Sequence, residues 1–427
     1  MKAGSTPTEK VLLAPSAGRL MGSLRDIGYD FQTSIADLVD NSISAGATEI
    51  DVVIGLDDRS PMVTIADNGA GMSERTLLEA LRFGSRRAYG RTDLGRYGLG
   101  LKTASLAHCR RLTVATRTAP KTRRILAYRL DLETVERTDE WAVLNVPVGE
   151  LPGRVVGSLD RPGTVVVWEA LDRLLPYQRE AGGWARRRAE QLAMRAARYL
   201  AMVFHRFIEG TAAGHERLTI TVNGEKLIPW SPFAEDESAT IRLPASRFEV
   251  PSREGSGTVV LRPFVLPPRG QFSSPAAFER LSGPNKWNRQ QGLYIYRNDR
   301  MIQAGGWCGL RVGDEHTKLA RAALDFDAGL DEVFRINVPK MRVLIPSELR
   351  PMLEGPVHDV CHRAEMVYRR DVDHQPDQPA RTTSTDFTAA VLALRAAALD
   401  TGTWDALEQM FGYLKERHPE MAASLGI

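Results

Sequence analysis

Residues 35–72 read IADLVDNSISAGATEIDVVIGLDDRSPMVTIADNGAGM. Between Thr33 and Ala45 the apolar residues Ile35, Leu38, Val39 and Ile43 recur at helical spacing, whereas EIDVVIGL and MVTIAD are short β-rich runs. The expectation is a helix followed by two strands. Asp37 and Asn41 stand four apart, so a helix places a carboxylate and a carboxamide on one face, separated by one turn. Asp67 ends the second strand, and Gly69 and Gly71 permit a turn with close backbone approach. Ser73 is then placed to cap a helix with Glu74 in its first turn and Leu77, Leu78 and Leu81 on its apolar face.

Further along, GRYGLGLKTAS (95–105) sets Gly95, Gly98 and Gly100 ahead of a helical run with Lys102 in its first turn. Consecutive amides in such a loop, followed by a helix N-terminus, make a nest suited to phosphate. LTVATRT, RILAYRLDL, WAVLNVPV and GTVVVWEAL read as four further strands, and a sheet covered by helices on one side accounts for the order. The Arg- and Ala-rich run from Trp184 to Ile208 has no Gly or Pro and reads as a connecting helix. A second α/β unit follows, with LTITVNGEKLIPW as a hairpin about Asn223-Gly224, then GTVVLRPFVL, GLYIYRNDRMI and RINVPKMRVLI. The resulting division is 15–180, 181–370, a linker at 371–386 (DVDHQPDQPARTTSTD) and a helical segment at 387–427.

A chain of 427 residues with 43% hydrophobic content sustains two or three packed domains, which excludes disorder as its main state. The net charge of +3 gives no global reason to bind nucleic acid or an anionic membrane, so DNA contact would need a local patch such as Arg86, Arg87 and Arg186 to Arg188. No apolar stretch reaches the length of a spanning helix, and a soluble cytoplasmic protein is expected. Cys109, Cys308 and Cys361 lack metal-ligand spacing. Only 9 of the 56 basic residues are lysines, which makes a lysine inside a motif more telling than an arginine.

In this order and spacing the three elements resemble the GHKL ATPase superfamily, which includes DNA gyrase B, the MutL mismatch-repair proteins, heat-shock chaperones, MORC ATPases and sensor histidine kinases. The resemblance implies a Bergerat-type α/β sandwich that binds ATP and Mg²⁺, followed by a transducer-like α/β domain. It implies that Asn41 holds the metal, that Asp67 accepts a hydrogen bond from the adenine amino group, and that Gly71 lets the base lie against backbone. The implied nucleotide-binding set is Asn41, Asp67, Gly69, Gly71, Met72, Gly95, Gly98, Leu99, Gly100, Leu101, Lys102 and Thr164, the last lying in PGTVVVWEAL. Gyrase, MutL and MORC proteins supply a lysine to the terminal phosphate from their second domain, and Lys340 in FRINVPKMRVLIP stands where it is expected. GRYGLGLKTAS and GLYIYRNDRMI are closest in style to MORC-type proteins. An ATP-dependent homodimer acting as a clamp is also implied.

One position departs from the pattern. The family's water-orienting Glu is here Asp37, one methylene shorter, which predicts slow hydrolysis; Asp40 is a second, lower-ranked carboxylate on a different helical direction. Three alternatives stay open: a non-hydrolysing nucleotide sensor, a histidine kinase using His108 or His205, and a DNA-associated ATPase in repair or genome defence that binds through the arginine patch. In the C-terminal segment, Thr403 is placed to cap WDALEQMFGYLKE, whose Leu407, Met410, Phe411 and Leu414 share a helical face, and FTAAVLALRAAAL before it is apolar on most sides. From Phe387 onward three basic residues meet five acidic ones, which disfavours DNA and favours a protein partner or self-association. Deleting 387–427 is expected to leave ATP affinity intact while changing the mass measured by light scattering or the capture of a partner; loss of ATP binding would make the segment part of the core.

Overall fold

The computed structural model describes residues 15–26, 28–57, 60–83, 94, 100–118, 124–174, 183–253, 255–283, 286–336, 343–373 and 403–419, with Val391, Leu394, Ala398 and Ala422. Two compact units result, residues 1–367 and 368–427. The first opens with α1 (Ala17–Arg25) and α2 (Phe31–Ser44), then β1 (Glu49–Asp57) and β2 (Ser60–Asp67). Next come α3 (Glu74–Leu81), α4 (Gly100–Leu106), β3 (Arg111–Arg117), β4 (Leu126–Asp131), α5 (Leu132–Thr138), β5 (Leu144–Asn145), α6 (Gly153–Ser158) and β6 (Gly163–Glu169). The Arg- and Ala-rich run forms α7 (Gly183–Val203) and a short α8 (His205–Glu209), followed by β7 (Thr219–Val222) and β8 (Glu225–Lys226).

These eight strands form one sheet in the order β5-β4-β3-β6-β2-β1-β7-β8, antiparallel except where β1 runs parallel to β7. Period-two alternation assigns its faces. Val166 and Trp168 of β6 join the large core under α2 and α7, whereas Val165 and Val167 turn to the other face and pack with Val146, Leu151, Val155 and Leu159. The sheet is thus covered on both faces over its middle, because the apolar segment around α6 needs a surface of its own, and not on one side only. The hairpin at Asn223-Gly224 forms as expected, with positive φ at both residues, yet it belongs to this first sheet. The Asn223 side chain clamps Ile54 of β1, accepting from its N–H at 2.8 Å and donating to its carbonyl at 3.1 Å, which draws the hairpin across a boundary placed at residue 180.

A second sheet follows from β9 (Ile241–Arg242), β10 (Ser246–Ser252), β11 (Gly255–Val265), β12 (Gly292–Arg297), β13 (Arg300–Ala304) and β14 (Ala320–Phe326). Its order is β10-β11-β14-β12-β13, with β9 on β11. The central β14, RAALDF preceded by Ala320, is not apparent from the sequence, and its parallel pairing with β12 makes it the middle of the sheet. The run RINVPKMRVLI, expected as a strand, has none in its described part; residues 337–342 lie outside the described residues. Helices α9 (Pro275–Ser282), α10 (Lys286–Gln290) and α11 (Arg350–Asp373) complete the chain to the second unit, where α12 (Trp404–Arg417) carries a buried Phe411 and an exposed Met410. Thr403 precedes that helix at φ −103°, ψ 23°, outside the extended region usual for a capping residue, and makes no side-chain capping bond to it.

Two histidines illustrate how the core is closed. His108 lies between Phe31 and Trp168, with ring centroids 5.7 and 5.8 Å away, and its Nε2 meets the Ser34 hydroxyl at 2.9 Å. The Asp30 carbonyl serves the other ring nitrogen, so the neutral ring is satisfied at both ends. His205 is likewise buried between Tyr296 (2.9 Å) and Glu209 (3.1 Å). Burial holds the His108 pKa down at about 4, against 6.5 for the free side chain. Between those two values the unfolded chain binds more protons than the folded one, so this group makes stability rise with pH across the window, its penalty being complete below the lower value. Urea unfolding of His108→Gln is expected to show a shallower rise from pH 4 to 6.5 than the parent; an identical rise would exclude a buried neutral ring.

Candidate nucleotide site

Helix α2 presents both residues of its polar face. Asn41 is exposed, and Asp37 one turn earlier is only 4% exposed, close to the first residue of α4: a methyl built on Gly100 would lie 3.7 Å from Asp37 Oδ2. Burial first, and the Asp37 carboxylate second, push the phenol of Tyr29 well above its ordinary range. Tyr29 sits just ahead of α2 and carries no motif signature, so nothing in the local sequence marks it as a neighbour of the site.

Asp67 ends β2 at the edge of this helix. Its Oδ2 accepts from the Ser42 hydroxyl at 2.9 Å; its Oδ1 accepts from the Gly69 N–H at 2.9 Å and the Thr164 N–H at 3.2 Å. A carboxylate offers about four acceptor positions, so three internal donors fix its plane and leave about one for an outside N–H. Burial raises its pKa above the ordinary carboxyl value, while the donors from Gly69, Ser42 and Thr164 act in the opposite sense. Thr164 is placed opposite Asp67 by the antiparallel register of β2 and β6. Ser42 is one residue past Asn41 and turns to the sheet; the spacing marked its neighbour and not it.

The glycines of DNGAGM are required by contact as well as by conformation. Gly71 has φ +67°, and a Cβ there would fall 2.0 Å from the Arg117 carbonyl oxygen; Gly163, opposite, would meet the Asp67 carbonyl oxygen at 2.0 Å. A Cβ on Gly69 would come within 2.9 Å of the Ala45 carbonyl oxygen. Thr116 of β3 ties the turn together, its hydroxyl accepting from the Met72 N–H at 2.9 Å and donating to the Gly163 carbonyl at 2.9 Å, with the Thr164 hydroxyl 3.2 Å away. Only a polar residue in the alternation of LTVATRT hinted at it. Asn68 binds the α2–β1 turn through the Thr48 and Glu49 amides and the Thr48 hydroxyl, a structural role.

Of the glycine-rich loop, Gly95, Gly98 and Leu99 lie outside the described residues, as does Lys340. Gly100 starts α4, and Leu101 packs against the core. Lys102 is corrected: it is 1% exposed and donates from Nζ to the Ala80 carbonyl in the last turn of α3 at 2.7 Å. Its position in the first turn of α4, expected to face a phosphate, turns instead toward a helix C-terminus, where partial negative charge favours an ammonium. Burial lowers its pKa to about 8, opposed by Glu79. Asp40 is corrected as well. It is wholly buried and ion-paired with Arg300 of β13 at 3.3 Å, which removes it from contention as a base.

A helix carrying a carboxylate and an exposed carboxamide one turn apart, a carboxylate fixed beside a glycine turn, and a second helix starting at a glycine are the elements the resemblance to GHKL ATPases leads one to expect in an α/β domain. Residues 29–159 match the family of histidine kinase-, DNA gyrase B-, and HSP90-like ATPases. This segment is therefore a GHKL-type ATPase domain, built to bind ATP, of a kind in which hydrolysis is common and not universal. Thr164 and the second sheet lie beyond the matched residues. No curated protein matches the chain. Among the described residues no helix is long and apolar enough to cross a membrane.

Gly71→Ala is expected to lower stability by about 3 kcal/mol, from a left-handed backbone and a forced displacement of the β3 carbonyl, and to weaken nucleotide binding with it. Gly149→Ala, where nothing lies within 4 Å, is the control and should leave both unchanged in thermal melting and calorimetry.

Proposed function

We propose that the protein is a Mg²⁺-dependent ATP-binding and ATP-hydrolysing conformational switch, resembling MORC and MutL proteins in operating as an ATP-gated dimeric clamp. The observation that carries this reading is Asp67: a carboxylate oriented by Ser42, Gly69 and Thr164 beside a turn where Gly71 and Gly163 keep backbone bare for a flat base. Asp67 accepts from the adenine amino group, and Met72 and Thr164 border the base.

Among the described residues no cluster of three or more acidic, His or Cys side chains exists that would cage a metal by itself. The exposed carboxamide of Asn41 offers one oxygen donor, which fits Mg²⁺, an ion that keeps waters and phosphate oxygens and takes one or two oxygens from protein. Asn41, exposed on α2, is the protein oxygen suited to it, and Mg²⁺ bound there supplies charge neutralisation for the triphosphate. Asp37 holds the attacking water through its carboxylate and draws off a proton as the water's oxygen bonds to the terminal phosphorus, while the bond from that phosphorus to the bridging oxygen breaks and ADP leaves with the electron pair. Gly95, Gly98, Leu99, Gly100 and Leu101 furnish amides to the phosphates, and Lys340 reaches the terminal one. Lys102 contributes by fixing α3 against α4. The second sheet acts as a transducer, and residues 387–427 dock a protein partner or a second copy.

A non-hydrolysing sensor is favoured by one observation, the short Asp37 side chain set into a nearly closed position. Phosphate release decides between the two. Asp67→Ala is expected to weaken ATP binding at least about tenfold in calorimetry, since an unpaired polar group in a dry pocket costs about 1–3 kcal/mol. Asp37→Asn is expected to bind ATP as the parent does and to turn over about 100-fold more slowly, the lower range for loss of a general base. Unchanged affinity in the first variant would move the base site elsewhere, and unchanged turnover in the second would strip Asp37 of its role.

A further inference from the structure

The hairpin β12–β13 reaches from the second sheet into the ATPase domain at both ends of its turn. Asn298 and Asp299 form a two-residue loop with φ of 47° and 63°, and Arg297 pairs directly with Arg300 across it. Such a turn is conformationally narrow, so the two arginines are held at a fixed separation. Arg297, 3% exposed, grips Asp331 with Nε (2.6 Å) and Nη2 (2.8 Å), and its Nη1 donates to the Leu94 carbonyl at 3.1 Å. Leu94 belongs to the segment leading into the glycine loop. Arg300, 1% exposed, donates from Nε to Asp40 Oδ1 at 3.3 Å and from Nη1 to the Met301 carbonyl at 3.1 Å. Asp40 immediately precedes Asn41 and lies one turn past Asp37 on α2. The loop itself is pinned, Asp299 accepting from Arg206 and from the Ala213 N–H at 2.9 Å each.

A buried ion pair is a poor source of net stability, because desolvation consumes most of the attraction. The Arg300 pair is also incompletely used: among the described residues its buried Nη2 has no hydrogen-bond partner. A buried donor left over in this way is costly, and the guanidinium otherwise faces the Phe204 ring at 5.6 Å. Arg300, at the start of β13, thus contacts α2, the helix that carries Asp37 and Asn41, and Arg297, at the end of β12, contacts Leu94, which precedes the glycine-rich loop in the chain.

Resting on the functional reading above, we infer that the tip of β12–β13 couples the second sheet to the nucleotide site, with Arg300 a positioning residue that sets α2, and through it Asp37 and Asn41, while Arg297 holds the approach to the glycine loop at Leu94. Nucleotide contacts at Asp37 and Asn41 bear on α2, the Asp40–Arg300 contact passes a displacement of α2 to the stiff turn, and the second sheet responds. The guanidinium fork is needed because Asp40 and the Met301 carbonyl are engaged at once, which a lysine ammonium cannot reproduce in the same plane.

The test uses the full chain with Arg300→Met, Arg300→Lys and the double variant Asp40→Asn/Arg300→Met, the last removing both charges so that no ion is left buried alone. Melting, Mg-ATP affinity, steady-state turnover, and hydrogen exchange of 292–304 with and without a non-hydrolysable ATP analogue are measured. The double variant is expected to melt cooperatively and bind ATP within about threefold of the parent, with turnover reduced about 100-fold, the scale of a misplaced reactive group. The analogue should alter exchange of 292–304 in the parent and leave it unaltered in the double variant. Arg300→Lys should bind ATP and lose the exchange response too. Parent-like turnover and exchange in the double variant, or in Arg300→Lys should the double variant fail to fold, would overturn the coupling and leave the pair as packing. A parent that binds ATP with an unresponsive hairpin would overturn the coupling alone, and a parent that binds no ATP would overturn the functional reading beneath it.

Discussion

The approach of bare backbone around Asp67 is the constraint on which the site depends. Gly163 stands so close to the Asp67 carbonyl, and Gly71 so close to the Arg117 carbonyl, that a Cβ at either would overlap an oxygen at 2.0 Å. Three strands and one turn are thereby locked in a single register. Once β2, β6 and β3 lie in that order, Thr164 falls opposite Asp67 and Thr116 opposite Thr164, and the carboxylate receives its internal donors without further adjustment. Displacing any of these strands by one residue would turn the polar side chains to the opposite face.

The same packing explains why the two sheets behave as parts of one unit. Helix α7 rests on β1 and α2 and ends beside α8, whose Arg206 stacks 3.5 Å above the Tyr296 ring and pairs with Asp299 and with Asp325 of β14. The second sheet is therefore fastened to the first through charged side chains as well as apolar contact. Buried charges in such positions specify geometry, since they tolerate few alternative arrangements, more than they add stability.

Histidines and lysines in the domain show how much burial decides. His108 and His205 lie near the site in the chain, and each is enclosed and hydrogen-bonded at both nitrogens. Lys102 is drawn to the end of α3 by the carbonyl of Ala80. None of the three offers a free reactive group to a phosphate, and each would be misjudged by residue type alone.

Local spacing carried the α2 face, the strand ending in Asp67, the glycines of the turn and the Ser73 cap, whose hydroxyl accepts from the Thr76 N–H at 3.2 Å. These are legible because periodicity and backbone conformation are set within a few residues of chain. What the sequence did not determine was which distant segment completes each element: the β7–β8 hairpin on β1, β14 at the centre of the second sheet, Thr116 beneath the turn, and Arg300 on Asp40 across 260 residues of chain. Those choices depend on which buried donor meets which buried acceptor once the sheets have closed, and no local pattern holds that information. A carboxylate at position 40 looks the same in sequence whether it faces water or an arginine; only the folded core, by removing the water, makes the arginine obligatory.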